Sequence, residues 1–380
     1  MQRGINSREL HRLYETMGPR QACAHLAEAL AQQHLSPEDF SVLDLFEAFV
    51  PDGRELVRLF NPGKSGGINL LEAGGAVDLS AFNNITGQFV YSKVVEAFNS
   101  PAFLHPHVVQ NIPTQFNGEK IPGIGRLGDE AKEVAEAHPY PTVGMSEEWI
   151  ETPATTKRGF IVPITKEAIF FDRTGLLLQR AAEVAYWLGQ NKEKRVLDVV
   201  LGVTNTYKRN GVAIDTYNAD SPFINVVDDN PLVDWTSIEA AELLFDSIAD
   251  PNTGDPVAIV PNTIIVPSAL RHSARRTVNA TEIRTGDPAA TQVVSSNPVA
   301  DQYRVLSGPL VRQRTNSDST WFVGDPKRAF AYMENWPITV VQSPQNSDAE
   351  FSQDIVTRYK VSERGAAAVL EPRYMVKCLA

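Results

Sequence analysis

The chain has 380 residues, which is enough for one large domain or for two to three ordinary ones. Its 46 acidic and 35 basic side chains give a formal net charge of −11, which argues against the basic surface of a dedicated DNA-binding protein. Two cysteines, Cys23 and Cys378, make neither a disulfide framework nor a metal site, and the sequence shows no signal peptide and no apolar run of membrane-spanning length. We therefore expect a folded protein of a reducing cytoplasm with no membrane partner.

The N-terminal part of the chain is predicted to be helical and then flexible. In residues 1–60, stretches such as RQACAHLAEALAQQHL place apolar side chains three and four apart, which predicts a helical extension. Glycines crowd residues 61–80, which favours a linker. Residues 81–112 are expected to form an arm with one helix, which begins near Thr86 and ends before Pro101.

The segment from residue 113 to residue 165 has a different character. It is rich in proline, glycine, threonine and acidic residues, and no helical stripe runs through it for long. A structureless loop of this length would be unusual inside a compact domain. An extended two-stranded excursion that needs a neighbouring surface is the better interpretation. Its returning limb is KRGFIVPIT, in which Phe160, Val162 and Ile164 alternate with other residues as in a strand.

A long helix follows this returning strand. It is predicted from about residue 172 to residue 201, with Asp172 or Thr174 as its cap and an apolar face that begins at Leu177 and includes Leu188. Such a helix would be roughly 40 Å long and would act as a beam. The charged run QNKEKR in its second half is expected to be a solvated surface.

The remainder of the chain is predicted to mix helices and strands. SIEAAELLFDSIAD reads as a helix, and NTIIVPSALRHSARR reads as a buried strand followed by a helix that starts at Pro267. TWFVGDPKRAFAYMENWPITVVQ is typical of strand, turn and strand. The tail alternates clearly and is expected to form two strands around Gly365. The fold class is therefore α+β.

Several short motifs suggest chemistry, but their context does not support it. GIGRLG at Gly123–Gly128 matches the dinucleotide fingerprint without the required strand before it and helix after it. NPGKSGG lacks the first glycine of a phosphate-binding loop. His105, His107 and His138 do not complete a metal-ligand set, and the first two are expected to be surface histidines in a turn. The sequence thus offers no catalytic, cofactor-binding or metal-ligating residue.

The order of these parts resembles the major capsid proteins of tailed phages, the Hong Kong 97 fold family. The resemblance begins at about Ala81, and it is carried by ETPATTKRGFIVPITKEAIFFDRTGLLLQRAAEVAYWLG, NTIIVPSALRHSARR, FVGDPKRAFAYMENWPITVV and DIVTRYKVSERGAAAVLEPRYMVKC. It implies an N-terminal arm at residues 81–112, an extended E-loop at 113–165 and an axial domain at 236–345. The peripheral domain would comprise residues 166–235 and 346–380, with a spine helix at about 172–201.

The resemblance also implies a function. The protein would be a structural head protein that assembles with itself into pentamers and hexamers of an icosahedral shell, in the bacterial cytoplasm, around double-stranded DNA that it contacts weakly. Portal, scaffold, maturation protease and decoration proteins would be its partners, and residues 1–60 would be a scaffold-like segment. Some family members cross-link a lysine to an asparagine, and Lys120 and Lys157 lie in or beside the loop, but the sequence shows no matched asparagine or catalytic acid.

Two alternatives remain open from the sequence. An encapsulin-like nanocompartment has the same fold and encloses a cargo enzyme, and some of these shells also begin with a helical region. A nucleotide-dependent enzyme that uses Gly123–Gly128 is the third hypothesis, although no residue pair supports its chemistry.

Overall fold

The structure is a computed structural model. It describes scattered positions between residues 12 and 87, residue 134 and the ranges 90–122, 149–165, 176–220, 223–249, 256–285, 293–343 and 355–380. The predicted linker at 61–80, the proposed caps Asp172 and Thr174, and most of the predicted extension at 1–60 lie outside these residues. The described positions between Arg12 and Ala29 are helical.

The chain forms two compact units, and it crosses between them several times. Unit 1 comprises Met1–Pro101, Lys157–Asn191 and Pro337–Glu363. Unit 2 comprises Ala102–Thr156, Lys192–Trp336 and Arg364–Ala380. This division follows the packing of the chain and does not test the domain boundaries expected from the sequence, which stay a prediction.

Unit 1 contains a helical segment at residues 90–98, as predicted. Its buried residues Val90, Val94 and Phe98 are spaced by four, so they lie on one face of the helix. The strand predicted before the long helix is present as β4 (Thr156–Thr165). Within this unit β4 runs so close to its neighbour that a Cβ on Gly159 would lie 2.3 Å from the carbonyl oxygen of Val361.

The predicted long helix is confirmed as α2 (Leu176–Val200), which follows the short helix α1 (His105–Val108). It is about 37 Å long at 1.5 Å per residue. Its end in unit 2 is buried on the side that carries Val196, Leu197 and Val200, and these residues belong to the core of that unit.

A four-stranded sheet has the order β1-β13-β14-β4, in which β1 is Gln110–Pro113, β13 is Phe330–Gln342 and β14 is Ile355–Val369. The prediction of two strands around Gly365 is wrong, because β14 is continuous through this residue. The glycine serves close packing instead of a turn, since a Cβ there would lie 2.6 Å from Cε1 of Tyr332 and 2.7 Å from the carbonyl oxygen of Met333.

The centre of unit 2 is a sheet of five strands, Val226–Val227 (β7), Thr263–Pro267 (β8), Arg304–Gly308 (β11), Trp321–Gly324 (β12) and Met375–Cys378 (β15). Their order in the sheet is β11-β8-β12-β15-β7. β8 is parallel to β11 and antiparallel to β12, β15 is antiparallel to β12, and β7 is parallel to β15.

Both faces of this sheet are buried. Because successive side chains of a strand point to opposite faces, neighbouring residues pack into different cores. Ile264, Trp321 and Val376 pack into one core, together with residues of α3 (Trp235–Ser247) and α4 (Arg271–Asn279). Their neighbours Ile265, Phe322 and Met375 pack into the other core, with the end of α2. Continuous apolar runs such as TIIVP and WFVG are the sequence signature of such strands.

Both helices on the first face were predicted from the sequence, with one difference. Asp234 caps α3, because its carboxylate accepts a hydrogen bond from the backbone N–H of Thr236 at 3.0 Å. Pro267 does not start α4 as expected; it is the last residue of β8, and a 3₁₀ turn (Ser268–Leu270) precedes the helix.

The remaining described elements are small. A second four-stranded sheet has the order β2-β3-β5-β6, and β9 pairs with β10 in a two-stranded ladder. Their bounds, and those of the last helices, are Lys120–Pro122 (β2), Trp149–Glu151 (β3), Thr206–Arg209 (β5), Val212–Asp215 (β6), Glu282–Thr285 (β9), Val293–Ser296 (β10), Pro309–Thr315 (α5), Pro326–Ala329 (α6) and the 3₁₀ turn Pro372–Tyr374.

Cys378 at the end of β15 is fully buried, and burial raises the pKa of its thiol to about 12. At pH 8 the native protein therefore holds almost no thiolate at this position, and we expect a Cys23→Ser variant to resist aromatic disulfide reagents until denaturant is added. The unfolded thiol ionises above about pH 9.0 while the folded thiol keeps its proton, so the free energy of unfolding should fall as the pH rises above that value. Rapid labelling of the native variant at pH 8 would contradict this burial.

Candidate functional site: the base of the extended loop

The base of the predicted loop is a short antiparallel ladder, where β2 leaves and β3 returns. Lys120 is paired with Glu151, and Pro122 is paired with Trp149, so the chain comes back to the point from which it left. Thr152 extends the ladder, because its N–H donates to the carbonyl of Glu119 at 2.9 Å and its hydroxyl accepts from the N–H of Glu119 at 2.8 Å. The residues between Pro122 and Trp149 lie outside the described part of the chain, except Val134.

Further strands widen this ladder on the side of β3. Ile150 is paired with Arg209 of β5, and β5 forms a hairpin with β6 around Asn210 and Gly211. Asn210 has a positive φ of 51° and its side chain accepts a hydrogen bond from the N–H of Trp149 at 2.9 Å. Asn-Gly is the preferred sequence of such a tight turn, so the hairpin geometry is encoded locally.

Side chains also fasten the loop base to β13 and β14. Asn335 donates from its amide to the carbonyls of Thr114 and Phe116, both at 3.0 Å. Arg364 donates to the hydroxyl of Thr155 at 3.0 Å, and the N–H of Thr155 donates to Asn117 at 2.9 Å. Each limb of the loop base is therefore held by a side chain from outside the loop, the first limb by Asn335 and the second by Arg364.

A buried carboxylate holds the segment before the loop against α2. Glu193 is 1% exposed and accepts hydrogen bonds from the backbone N–H groups of Leu104 at 2.7 Å and His105 at 2.8 Å. Its Oε2 also lies 2.8 Å from Nδ1 of His105. Because a carboxylate can only accept, the imidazole carries its proton on Nδ1.

This arrangement corrects two expectations. His105 is 4% exposed and lies in α1, so it is not the surface histidine that the sequence predicted. His107 is half-buried, and burial together with the nearby charges of Arg304 and Lys327 lowers its pKa. The run QNKEKR is not simply a solvated surface either, because Lys192 and Glu193 at its centre are buried.

Lys192 has its own partners in the core. Its Nζ lies 3.5 Å from the carboxylate of Glu334 and 4.1 Å from the ring centre of Tyr332. A buried ammonium group requires such compensation, and here a carboxylate and an aromatic face supply it. Further along α2, Asp198 accepts two hydrogen bonds from the guanidinium of Arg314.

A cavity of 520 Å³ lies beside the loop base. It is lined by the β3 end of the loop base, by β5, by the last turns of α2 and by residues 365–369 of β14. Burial raises the pKa of Tyr207 in its wall to about 12, so this phenol stays protonated at neutral pH. Its lining residues include no cysteine, histidine or serine.

Of the other residues that the sequence singled out, those that the structure describes are not gathered into a site. Gly123–Gly128 and His138 lie outside the described residues. Lys120 is exposed, with its Nζ 3.9 Å from Glu151 and 4.6 Å from the ring centre of Trp149, and Lys157 is exposed on β4. Among the described residues no group of three His, Cys, Asp or Glu side chains could hold a metal ion, and no described helix is long and apolar enough to cross a membrane.

Comparison with known families identifies the chain. A family model described as phage capsid protein matches residues 149–378, which is more than half of the sequence. The chain belongs to this phage capsid protein family. The match begins at β3 and ends at the last residue of β15, so it contains α2 and the whole five-stranded sheet. No curated protein matches this capsid protein.

Solved structures with a similar fold are distant in sequence. The capsid protein is 10% identical to the capsid of a native GTA particle, with a TM-score of 0.46 over 74% of this chain and 90% of that one. A chain of Mycobacterium phage Bobi gives 11% identity and a TM-score of 0.42, with coverages of 72% and 89%. A phage-related protein from Bordetella bronchiseptica gives 12% and 0.44, with coverages of 76% and 95%. The family assignment rests on the family match and not on these likenesses.

The predicted family is therefore confirmed, and the protein is a structural capsid protein of a phage. The α+β class is also confirmed, and it agrees with the Hong Kong 97-like fold expected from the sequence. The hydrogen-bonded base of the loop was not predicted residue by residue, since Asn335 and Arg364 are far from the loop in sequence.

Proposed function

We propose that copies of this capsid protein assemble into pentamers and hexamers and then into a closed icosahedral shell around double-stranded DNA. The family match over residues 149–378 carries this proposal. The loop base supports it, because hydrogen bonds from Asn335 and Arg364 attach its two limbs to β13 and β14. A segment that is anchored in this way can be directed at a neighbouring copy, where repeated contact would stabilise the shell.

In this proposal the domain plan is the one expected from the sequence. Residues 113–165 are the E-loop, residues 166–235 and 346–380 form the peripheral domain, and residues 236–345 form the axial domain. The arm lies at residues 81–112. Residues 1–60 would act as a built-in scaffold-like segment during shell assembly.

The role is mechanical and not catalytic. The match to a phage capsid protein family supports this structural role. The net charge of −11 favours weak contact with packaged DNA, because phosphates repel an acidic wall. Portal, scaffold, protease and decoration proteins would be the partners, and assembly would take place in the host cytoplasm.

Electron microscopy of the expressed chain tests this function. Closed particles or rings of five and six copies are the expected result, while a chain that stays monomeric under all assembly conditions would refute it. Coexpression with neighbouring genes separates the alternatives: particles that enclose a cargo enzyme would favour a nanocompartment, and particles that package DNA would support a phage head.

Removal of the loop should block assembly without unfolding the body. Pro122 and Trp149 are directly paired, so replacing residues 123–148 by Asn-Gly would close the ladder with a two-residue turn. We expect the variant to keep the thermal transition of the unassembled wild type within about 3 °C and to form no particles, as judged by light scattering. The matched control is a chain that keeps residues 123–148 in scrambled order, so that the length of the loop is unchanged. Normal particles from the deletion variant would show that the loop is not an assembly element.

A further inference from the structure

Charges of opposite sign occupy the two edges of the five-stranded sheet. The segment 226–247, which contains the edge strand β7 and α3, carries acidic residues and no lysine, arginine or histidine. Its exposed acids are Asp228, Asp229, Asp234, Glu239 and Asp246. Glu242 lies on the same helix as Glu239 and Asp246, but it accepts a hydrogen bond from the hydroxyl of Tyr303.

The opposite edge is basic. α4 has the sequence RHSARRTVN, and Arg271, Arg275 and Arg276 are exposed on it without any acidic residue in the helix. Arg304 is exposed on β11, the strand that forms this edge of the sheet. The nearby acids Glu282 and Asp301 lie beyond the C-terminal end of α4.

The two helices lie on the same face of the sheet but over different strands. Residues of α3 pack near β15 and β7, whereas residues of α4 pack near β8 and β11. Strands lie about 4.8 Å apart, so the edge strands β7 and β11 are separated by about 19 Å. None of the ion pairs found in the described part of the chain joins the acidic edge to the basic edge.

We propose that the acidic edge formed by β7 and α3 docks onto the basic edge formed by α4 and β11 of a second copy of this chain. This inference rests on the proposed function, since it names the contact that joins the copies. The apolar side chains of Val233 and Leu243 are 61% and 62% exposed beside the acidic residues, and they would be covered in the contact. A contact between two different patches is head-to-tail, and it closes a ring when the rotation between copies allows.

The charges act on specificity and rate more than on affinity. Exposed ion pairs stabilise a contact weakly, but complementary patches speed the encounter and disfavour wrong orientations. Acidic edges repel each other, and so do basic edges, so only the head-to-tail arrangement brings opposite charges together. Because screening shortens the reach of these fields to about 8 Å at physiological salt, assembly should slow as salt is raised.

A nucleic acid is the competing partner for α4. The phosphates of a nucleic acid would account for the basic edge but not for the acidic edge on the same sheet. The net charge of −11 would also oppose the binding of a nucleic acid. A second copy accounts for both edges at once, so the observations favour it.

Charge reversal tests the contact. We expect a chain with Arg271→Glu, Arg275→Glu and Arg276→Glu, and separately a chain with Asp228→Lys, Asp229→Asn, Glu239→Lys and Asp246→Lys, to lower the assembled fraction by roughly tenfold or more, as judged by sedimentation. The first set places three glutamates against Arg304 at the formerly basic edge, and the second places three lysines against Asp234 at the formerly acidic edge, so the exposed charge of each edge changes sign. Asparagine is chosen at position 229 because the φ there is 55°. All of these residues are exposed, so each variant should keep the wild-type melting transition. The chain with both sets should assemble again, because the attraction is restored with its signs exchanged; failure of this rescue would overturn the inference.

A mixture of the two reversed chains gives a sharper readout. Each chain alone presents two edges of one sign, but together they can alternate around a ring. Alternation closes only rings with an even number of copies, so six-membered rings should form and five-membered rings should not. Rings of five in the mixture at wild-type frequency would contradict the proposed contact.

The control and the remaining outcomes separate this inference from the proposed function. Arg180→Glu with Lys360→Glu also makes the chain more acidic, but at exposed positions that belong to neither edge, and it should assemble normally. If the wild type forms no particles, the proposed function fails. If the wild type assembles and the reversed chains assemble equally well, only this contact fails. Loss of binding to a DNA duplex by the chain with Arg271→Glu, Arg275→Glu and Arg276→Glu, with assembly unchanged, would assign α4 to nucleic acid and overturn it.

Discussion

Replacing Glu193 by alanine should lower the free energy of unfolding by about 3–5 kcal/mol. The carboxylate is buried and accepts from the N–H groups of Leu104 and His105 as well as from the imidazole of His105. Alanine would leave these donors buried without a partner, and each unsatisfied group costs about 1–3 kcal/mol. Urea denaturation of the unassembled chain, followed by circular dichroism, measures the change.

Glu183 provides the matched control, because it is an exposed glutamate on the same helix. Glu183→Ala should change the free energy of unfolding by no more than about 0.5 kcal/mol. Glu193→Gln should fall between the two, since its amide oxygen still accepts but its NH₂ group faces other donors. A loss below 1 kcal/mol for Glu193→Ala would show that water replaces the carboxylate at low cost.

Gly324→Ala is expected to destabilise the chain by at least about 3 kcal/mol. The residue has a φ of 152°, which side chains rarely adopt. A Cβ there would also lie 2.1 Å from the carbonyl oxygen of Tyr374 and 2.9 Å from Cα of Met375. This backbone belongs to the β12–β15 ladder and cannot withdraw without breaking it. The same denaturation measurement applies.

A substitution at Gly211 distinguishes the effect of backbone strain from the effect of steric collision. The φ of Gly211 is 79°, but a Cβ there would meet no atom within 4 Å. Gly211→Ala therefore includes the conformational strain without the collision, and it should cost only about 1–2 kcal/mol. Equal losses for the two variants would indicate that strain, and not the close approach of β15, makes glycine necessary at position 324.

The regular elements were predictable because their signals are local. The apolar runs TIIVP and WFVG indicate strands that are buried on both faces, and the sheet contains them as β8 and β12. The Asp234 cap and the four-residue spacing of Val90, Val94 and Phe98 likewise depend on residues within a few turns. The predicted strand break at Gly365 was wrong, because the sequence does not distinguish a glycine that ends a strand from one that leaves room for a neighbouring side chain such as Tyr332.

The buried charges could be predicted only in part. Lys192 lies four residues from both Leu188 and Val196, and Glu193 lies four residues before Leu197, so helical spacing places both on the buried side of α2. Their partners could not be predicted, because His105 and Glu334 are remote in sequence and no local pattern connects them. The hydrogen bonds of Asn335 and Arg364 to the loop base escaped prediction for the same reason.

The position of β15 makes the emergence of residues 375–378 a condition for completing the five-stranded sheet. β15 is the last strand of the described chain, yet it lies inside the sheet between β12 and β7. Asn225 also depends on this segment, because its amide donates to the carbonyls of Pro372 and Met375. A nascent chain cannot pair β7, or fill both cores, before residues 375–378 have emerged from the ribosome. A fragment that ends before residue 375 would therefore lack the finished sheet.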